Sequence, residues 1–160
     1  MNITEERVDQ TTIDKLTALT ESVMTQIRPS GAEDLIGFVD KTVHEWQVSG
    51  TPPKAYNLDQ DDLIYAFGTA WGDAVIAQHG WHWADLTFHD HGDWTGRAVV
   101  SADGSLFILP YAHIHECLSQ EDEVKIGMSL NVISSDLIPA LEPGTYTNLT
   151  HNIQRIIPRQ

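Results

Sequence analysis

Histidine and tryptophan are concentrated in the stretch HGWHWADLTFHDHGDW, residues 79–94, which holds four of the eight histidines and three of the five tryptophans. Imidazole is the commonest side-chain metal ligand, and the candidate ligands are His89, His91, His113 and His115. A zinc site needs three or four ligands around one point, at about 2.0–2.2 Å. No His-Glu-x-x-His spacing imposes such convergence, so we predict no cofactor, with Zn as the alternative.

The periodicity of strands and helices also argues against a shared ion. Alternate side chains of a strand face opposite sides, so His82 and His89 would point apart. If residues 110–119 are helical, His113 and His115 lie about 200° apart around the axis. The pattern favours polar turn histidines beside an aromatic strand.

A nucleophilic site has one candidate pair. Cys117 is the only cysteine, which excludes an intrachain disulfide and a Cys-rich zinc site, and His113 lies one helical turn before it. A lone cysteine is more often part of the core than a nucleophile. There is no Gly-x-Ser-x-Gly motif and no phosphate-binding loop with its lysine. We therefore predict no catalytic residue.

The acidic charge is uneven along the chain. The net charge is −14, and residues 57–123 carry twelve acids against Arg97 alone. Nucleic acids and anionic membranes would be repelled by such a segment, because both are bound through clustered lysine and arginine. The partner that an acidic face attracts is a basic protein. The alternative is that the acids only keep the protein soluble.

These features predict a non-enzymatic binding protein, most specifically a bacterial immunity protein that neutralises a cognate toxin by direct contact. Opposite charge accelerates the encounter that such an inhibitor requires. The turns HDHGDW and SADG are the candidate contacts, with Trp94 as an aromatic anchor. The predicted partner-binding residues are Asp85, Asp90, Asp93, Trp94, Asp103 and Glu116. The alternative function is a metal-dependent or small-molecule enzyme built on the histidines.

The hydrophobic periodicity predicts an α+β fold in one domain of 160 residues. Residues 1–48 are expected to be helical: one helix capped by Thr4 and ended by Pro29, then a second opened by a capping box of Ser30 and Glu33. Residues 49–57, with two adjacent prolines, are the predicted linker.

The core is expected in residues 58–142, followed by a tail over 143–160. A helix from Asp59 to His79, with acids at its start and Gly80 at its end, leads into an antiparallel β-meander. The predicted strands are residues 81–89, 97–101 and 105–109. Two predicted helices follow them, residues 110–119 and 124–141, and Pro139 bends or ends the second helix.

Two segments, AFGTAWGDAVIAQHGWHW and AVVSADGSLFILPYAHI, resemble the bacterial family of domain of unknown function 3806. The similarity covers roughly residues 60–140 and lies in a glycine-containing helix, a Gly-Trp-x-Trp-like entry to a strand, and a strand that ends in proline before a helix. The family's charged residues after that proline are not matched by His113 and His115. The resemblance implies a fold and no activity.

The amino terminus, MNITEERVDQ, has charges where a signal peptide requires an apolar run. No stretch approaches the roughly 18 apolar residues of a membrane-spanning helix. A cytoplasmic protein is the expectation.

Overall fold

The computed structural model describes residues 1–31, 34–55, 57–119, 126–135 and 137–150. Within them the chain has the predicted α+β fold, with helices packed on a mostly antiparallel five-stranded sheet. The helices are α1 (Gln10–Ile27), α2 (Leu35–Ser49), α3 (Gln60–His79), α4 (Pro110–Ser119) and α5 (Ile126–Ile133). The strands are β1 (Ile3–Arg7), β2 (His82–Phe88), β3 (Trp94–Val100), β4 (Leu106–Ile108) and β5 (Thr147–Asn148).

The prediction of a single amino-terminal helix is wrong at its start. Residues Ile3–Arg7 form β1, which pairs antiparallel with β2 from Ile3 opposite Phe88 to Arg7 opposite Ala84. Asp9, not Thr4, caps α1, because its carboxylate accepts a hydrogen bond of 2.8 Å from the backbone N of Thr12. The first residues are extended because they cover an otherwise unpaired edge of β2.

The predicted meander is confirmed as β2, β3 and β4, and a further strand lies at each edge. The strand order is β1-β2-β3-β4-β5. All neighbours are antiparallel except β4 and β5, which are parallel, with Phe107 opposite Asn148. β3 begins at Trp94, three residues earlier than predicted. The sheet therefore brings both terminal parts of the described chain beside the central hairpin.

Helix α3 begins and ends as predicted. Asp59 and Asp62 form a reciprocal capping box, and Gly80 ends the helix with a positive φ of 67°. Gly68 and Gly72 lie beneath aromatic side chains: an added Cβ would be 2.5 Å from the Tyr111 ring at Gly68 and 2.5 Å from the Trp83 ring at Gly72. The glycines thus let α4 and the sheet approach α3 closely.

Two other helix boundaries differ from prediction. Helix α2 begins at Leu35 and is capped by Asp34, whose carboxylate accepts from the backbone N of Gly37 at 2.9 Å; Glu33 of the predicted capping box lies outside the described residues. Helix α5 ends at Ile133, well before Pro139. Ser134 contributes to this end, because its hydroxyl bonds back to the carbonyl of Leu130 at 3.0 Å.

The two faces of the sheet pack against different groups of side chains. On the helix side, Trp83, Val99 and Ile108 join the main core with α1–α5. The opposite face carries a smaller apolar cluster, whose members are all at most 6% exposed: Ala84, Leu86, Phe88, Ala98, Val100 and Phe107.

Candidate binding surface

Residues 89–94, here called the acidic turn, connect β2 to β3. His89–His91 form one turn of 3₁₀ helix, and Gly92 and Asp93 then have positive φ angles of 72° and 58°. Aspartate tolerates this left-handed conformation better than most residues, since its short side chain can bond locally. The turn ends at Trp94, the first residue of β3. All six residues of the acidic turn are exposed.

Four hydrogen bonds fix the conformation of the acidic turn, and three of them come from residues next to or within β1. The Asp90 carboxylate accepts from the backbone N of Asn2 at 2.7 Å, and the carbonyl of Asn2 accepts from the backbone N of His89 at 3.0 Å. The His89 imidazole bonds to the Thr4 hydroxyl at 2.8 Å and to the Asp93 carboxylate at 2.5 Å. The carboxylates are therefore held in place although they are exposed.

Trp94 is 51% exposed, which sets it apart from Trp46, Trp71 and Trp83 in the core. Its ring lies 5.3 Å from that of Phe88, centroid to centroid, and packs over Gly96. Beside it an apolar groove of about 400 Å³ opens on the second face of the sheet, lined mainly by Met1, Phe88, His91, Trp94, Phe107 and Leu109. An exposed aromatic ring at the edge of an apolar groove is typical of a binding surface.

The other predicted partner-binding residues lie elsewhere. Asp85 faces the opposite side of the sheet, where Arg97 donates to it through Nε at 2.9 Å and through a terminal nitrogen at 3.0 Å. Asp103 lies at the far end of β3 from Trp94. Glu116 is on α4, among the helices. The structure thus brings together only Asp90, Asp93 and Trp94.

Asp103 has a structural role in the turn between β3 and β4. Its carboxylate accepts from the Ser105 hydroxyl at 2.7 Å, the Ser105 backbone N at 3.0 Å and the Ser101 hydroxyl at 2.8 Å. These hydrogen bonds, with those from Ser105 the largest contribution, lower the pKa of Asp103 to about 2. The carboxylate is therefore ionised and occupied by its own turn.

The four candidate metal ligands have separate surroundings. His89 bonds to Thr4 and Asp93, whereas His91 lines the groove. On α4, His113 is buried and His115 is exposed, as the helical spacing predicts. Within the part of the chain that the structure describes, no three histidine, cysteine, aspartate or glutamate side chains are placed to hold a metal ion.

His113 and Cys117 are close together in the core, but neither is in the ionisation state that a catalytic pair needs. The His113 Nε2 is 3.9 Å from the Cys117 Sγ and 3.1 Å from the Ser129 hydroxyl, and its ring stacks on Trp71 at 4.5 Å. Burial lowers the pKa of His113 to about 4 and raises the pKa of Cys117 to about 12. At neutral pH the pair is a neutral imidazole and a protonated thiol, not the reactive thiolate.

Two carboxylates make hydrogen bonds between elements that local sequence patterns do not indicate. The Glu5 carboxylate of β1 accepts from the Tyr146 hydroxyl at 2.7 Å and bonds to the His82 imidazole at 2.7 Å. In α3, the Asp73 carboxylate accepts from the indole N–H of Trp83 at 2.9 Å. A buried indole N–H requires an acceptor, so the presence of Trp83 on a strand is the one local signal that could have indicated this contact.

None of the described helices has the length and apolar character needed to cross a membrane.

No protein-family model matches the chain, and comparisons with curated proteins and with solved structures gave no significant match. The resemblance to the domain of unknown function 3806 family stays a prediction from the sequence motifs quoted above.

Proposed function

We propose that this chain is a non-enzymatic, acidic binding protein, and specifically a bacterial immunity protein that neutralises a toxin by direct contact. The observation that carries the proposal is the acidic turn itself. Asp90 and Asp93 are the sequence neighbours of His91 and Trp94, which line an apolar groove, and the ring of Trp94 at its edge is half-exposed. Aromatic anchors such as tryptophan are enriched in protein-binding hot spots, and the rim around them is polar.

The charge of the chain supports a basic partner. Residues 57–123 have a net charge of −11, and their one base, Arg97, is engaged by Asp85 on the other face of the sheet. A negative potential of this kind attracts a cationic protein and speeds its association. It repels the phosphates of nucleic acids and anionic membranes, so neither is proposed as a partner.

The alternative, a metal-dependent or small-molecule enzyme, gains no support from the described geometry. His89, His91, His113 and His115 do not face a common point, and the buried pair of His113 and Cys117 is neutral. We therefore propose no catalytic residue and no cofactor.

The proposal predicts that a toxin is encoded beside this gene, and its test uses the toxin domain of that neighbour. Co-expression of the two proteins should restore growth, and the purified pair should form a complex. The association rate should fall by about tenfold or more as NaCl is raised from about 20 mM to about 300 mM, because salt screens the attraction. Growth arrest despite co-expression, or no complex at the lower salt, would rule out the proposed pairing.

Matched double variants separate local contact from overall charge. Asp90→Asn with Asp93→Asn removes two charges from the acidic turn, whereas Asp14→Asn with Asp61→Asn removes two exposed charges from α1 and α3. Both should slow association, but only the first should also speed dissociation, by about fivefold or more, since only it removes groups at the interface. Equal dissociation rates in the two variants would place the contact elsewhere.

A further inference from the structure

The groove beside Trp94 is apolar and open to solvent. Its floor includes Phe88 and Phe107, which are 6% and 0% exposed and lie 5.7 Å apart, centroid to centroid. Leu109 lines it from the end of β4, and Met1 lines it from the amino terminus. The volume of about 400 Å³ falls within the range of roughly 300–1,000 Å³ that is typical of ligand pockets. One large side chain can enter it.

Trp94 forms one edge of this groove. Gly96, two residues later on the same face of β3, leaves room for the indole, because a Cβ at that position would overlap the ring. The ring tilts against Phe88 at 32° and exposes about half of its surface. A side chain entering the groove would therefore pack against an aromatic face that is now in water.

Asp90 and Asp93, next in sequence to the groove residues His91 and Trp94, are not paired with a lysine or arginine of the same hairpin. The Asp90 carboxylate is held by a backbone N–H, and the Asp93 carboxylate by His89. Arg97 cannot reach the entrance, since it is three residues from Trp94 along β3 and so faces the other side of the sheet. An apolar group with cationic neighbours complements this combination of groove and rim.

We infer, building on the proposed function, that the groove receives an aromatic or long aliphatic side chain that a basic partner protein presents between flanking lysine or arginine residues. The apolar side chain fills the space between Trp94 and Phe107, and the flanking cations pair with Asp90 and Asp93. Apolar burial supplies the affinity of such a contact, and the charges select and accelerate it. Charge alone, or an apolar group alone, binds less well.

The test uses the full chain and three short peptides. The probe is acetyl-Lys-Lys-(4-fluoro-Phe)-Lys-Lys-amide, observed by ¹⁹F NMR. One control replaces its lysines by serine, and the other replaces its fluorophenylalanine by glycine and serves as a competitor. The probe should bind at least about fivefold more tightly than either control. An equally strong control, or no change in the probe signal at millimolar concentration, would overturn the inference.

Protein variants locate the binding. Trp94→Ser should weaken the probe by about fivefold or more, whereas Tyr65→Ser, which removes a comparably exposed aromatic side chain from α3, should leave it unchanged. Asp90→Asn with Asp93→Asn should weaken the lysine peptide and leave the serine peptide unaffected. Circular dichroism confirms that each variant is folded, and the peptide controls decide the question should Trp94→Ser fail to fold. Equal loss in the Tyr65 variant would place the peptide outside the groove.

The peptide and toxin experiments can fail separately. A probe that binds while the neighbouring toxin does not would retain the groove as a site for another basic protein. If the toxin is neutralised but the affinity of the probe does not change in the Trp94 variant, the proposed immunity function stands and the groove is not the site of contact.

Discussion

The Asp73 carboxylate accepts a hydrogen bond from the buried indole N–H of Trp83, but the desolvation of this carboxylate opposes its ionisation. The indole N–H of Trp83 is buried in the core, and Asp73 accepts from it at 2.9 Å. Desolvation raises the pKa of Asp73, and this outweighs the lowering by the hydrogen bond; because the residue is also in contact with solvent, the energetic penalty is small. The folded state therefore disfavours the ionised form of a group whose acceptor oxygen it needs.

Substitution can separate those two effects. Asp73→Asn keeps an acceptor and removes the charge, so its free energy of unfolding near pH 7 should equal or exceed that of the parent. Asp73→Ala leaves the indole N–H without this acceptor and should lower the free energy of unfolding by about 1–3 kcal/mol. Urea unfolding measures both, and a less stable Asn variant would show that the charge itself is required.

The pH dependence follows from the sign of the shift. Because the folded-state pKa of Asp73 is raised above 3.8, its penalty is complete above that folded value. The penalty disappears as the pH falls through the folded pKa to 3.8. The advantage of Asp73→Asn over the parent should thus shrink in acid, in unfolding curves recorded from pH 7 to about pH 3.

At the scale of elements, the closeness of α3 to the sheet depends on Gly72. An added Cβ would meet the buried Trp83 ring at 2.5 Å, and that ring has little space to move. Gly72→Ala should therefore destabilise the protein by about 1–3 kcal/mol through overpacking. Gly127→Ala in α5 is the matched control, because its nearest neighbour would be Asp40 at an ordinary 3.5 Å.

The control should change stability in the opposite direction. Alanine at position 127 reduces the freedom of the unfolded chain and should stabilise by up to about 1 kcal/mol. Thermal and urea unfolding of the two variants provide the comparison. A Gly72→Ala protein as stable as the Gly127→Ala protein would mean that α3 can move away from the sheet without loss.

The attachment of β1 depends on Glu5. Desolvation acts to raise the pKa of this carboxyl, but the hydrogen bonds from His82 and Tyr146 prevail and the pKa is lowered below 4.5. Its contribution to stability is therefore present above pH 4.5 and is lost as the pH falls through the folded value. The side chain is 20% exposed, so solvent screening keeps the contribution to about 1–2 kcal/mol.

Glu5→Gln should lower the free energy of unfolding by that amount near pH 7 and by less below about pH 4. Glu6→Gln, on the adjacent exposed residue of β1, is the control and should change stability little. Hydrogen exchange of the β1 amides should rise in the Glu5 variant alone. Unchanged exchange would show that backbone pairing with β2 suffices to hold the strand.

Elements whose ends are set by neighbouring residues could be predicted from the sequence, whereas elements that depend on residues far along the chain could not. Helix α3 was predictable because Asp59 and Gly80 signal its ends locally. Strand β1 was not, since Ile3 pairs with Phe88, far along the chain, and the acids near it resemble a helix start. Asp9 was the local cue that could have placed the helix correctly.

The same reasoning applies to the candidate site. The exposure of Asp90, Asp93 and Trp94 follows from a polar turn between two strands, and it was predicted. The groove was not, because Met1 and Phe107 come from distant parts of the chain and meet only in the folded sheet. Sequence thus indicated the charged rim but not the apolar cleft beside it.

At the scale of the whole molecule, the excess of acids sets the response to salt. The net charge is −14, and the described residues contain three ion pairs, two of which involve histidine. We therefore expect the repulsion among carboxylates to exceed the attraction that salt could screen. Raising NaCl from about 10 mM to about 300 mM shortens the screening length to below about 10 Å and should stabilise the fold by about 1 kcal/mol near pH 7.

The control for this prediction is the pH at which the charge vanishes. Near the isoelectric point of about 4.7, acids and bases balance, and the same salt step should leave the free energy of unfolding almost unchanged. Chloride is the suitable anion, because sulfate would strengthen apolar burial at any pH. Equal stabilisation at both pH values would assign the effect to apolar burial rather than to charge. Destabilisation by salt near pH 7 would show that the attraction within ion pairs outweighs the repulsion among carboxylates. That result would also count against the proposal that the negative charge of the protein serves to attract a basic partner.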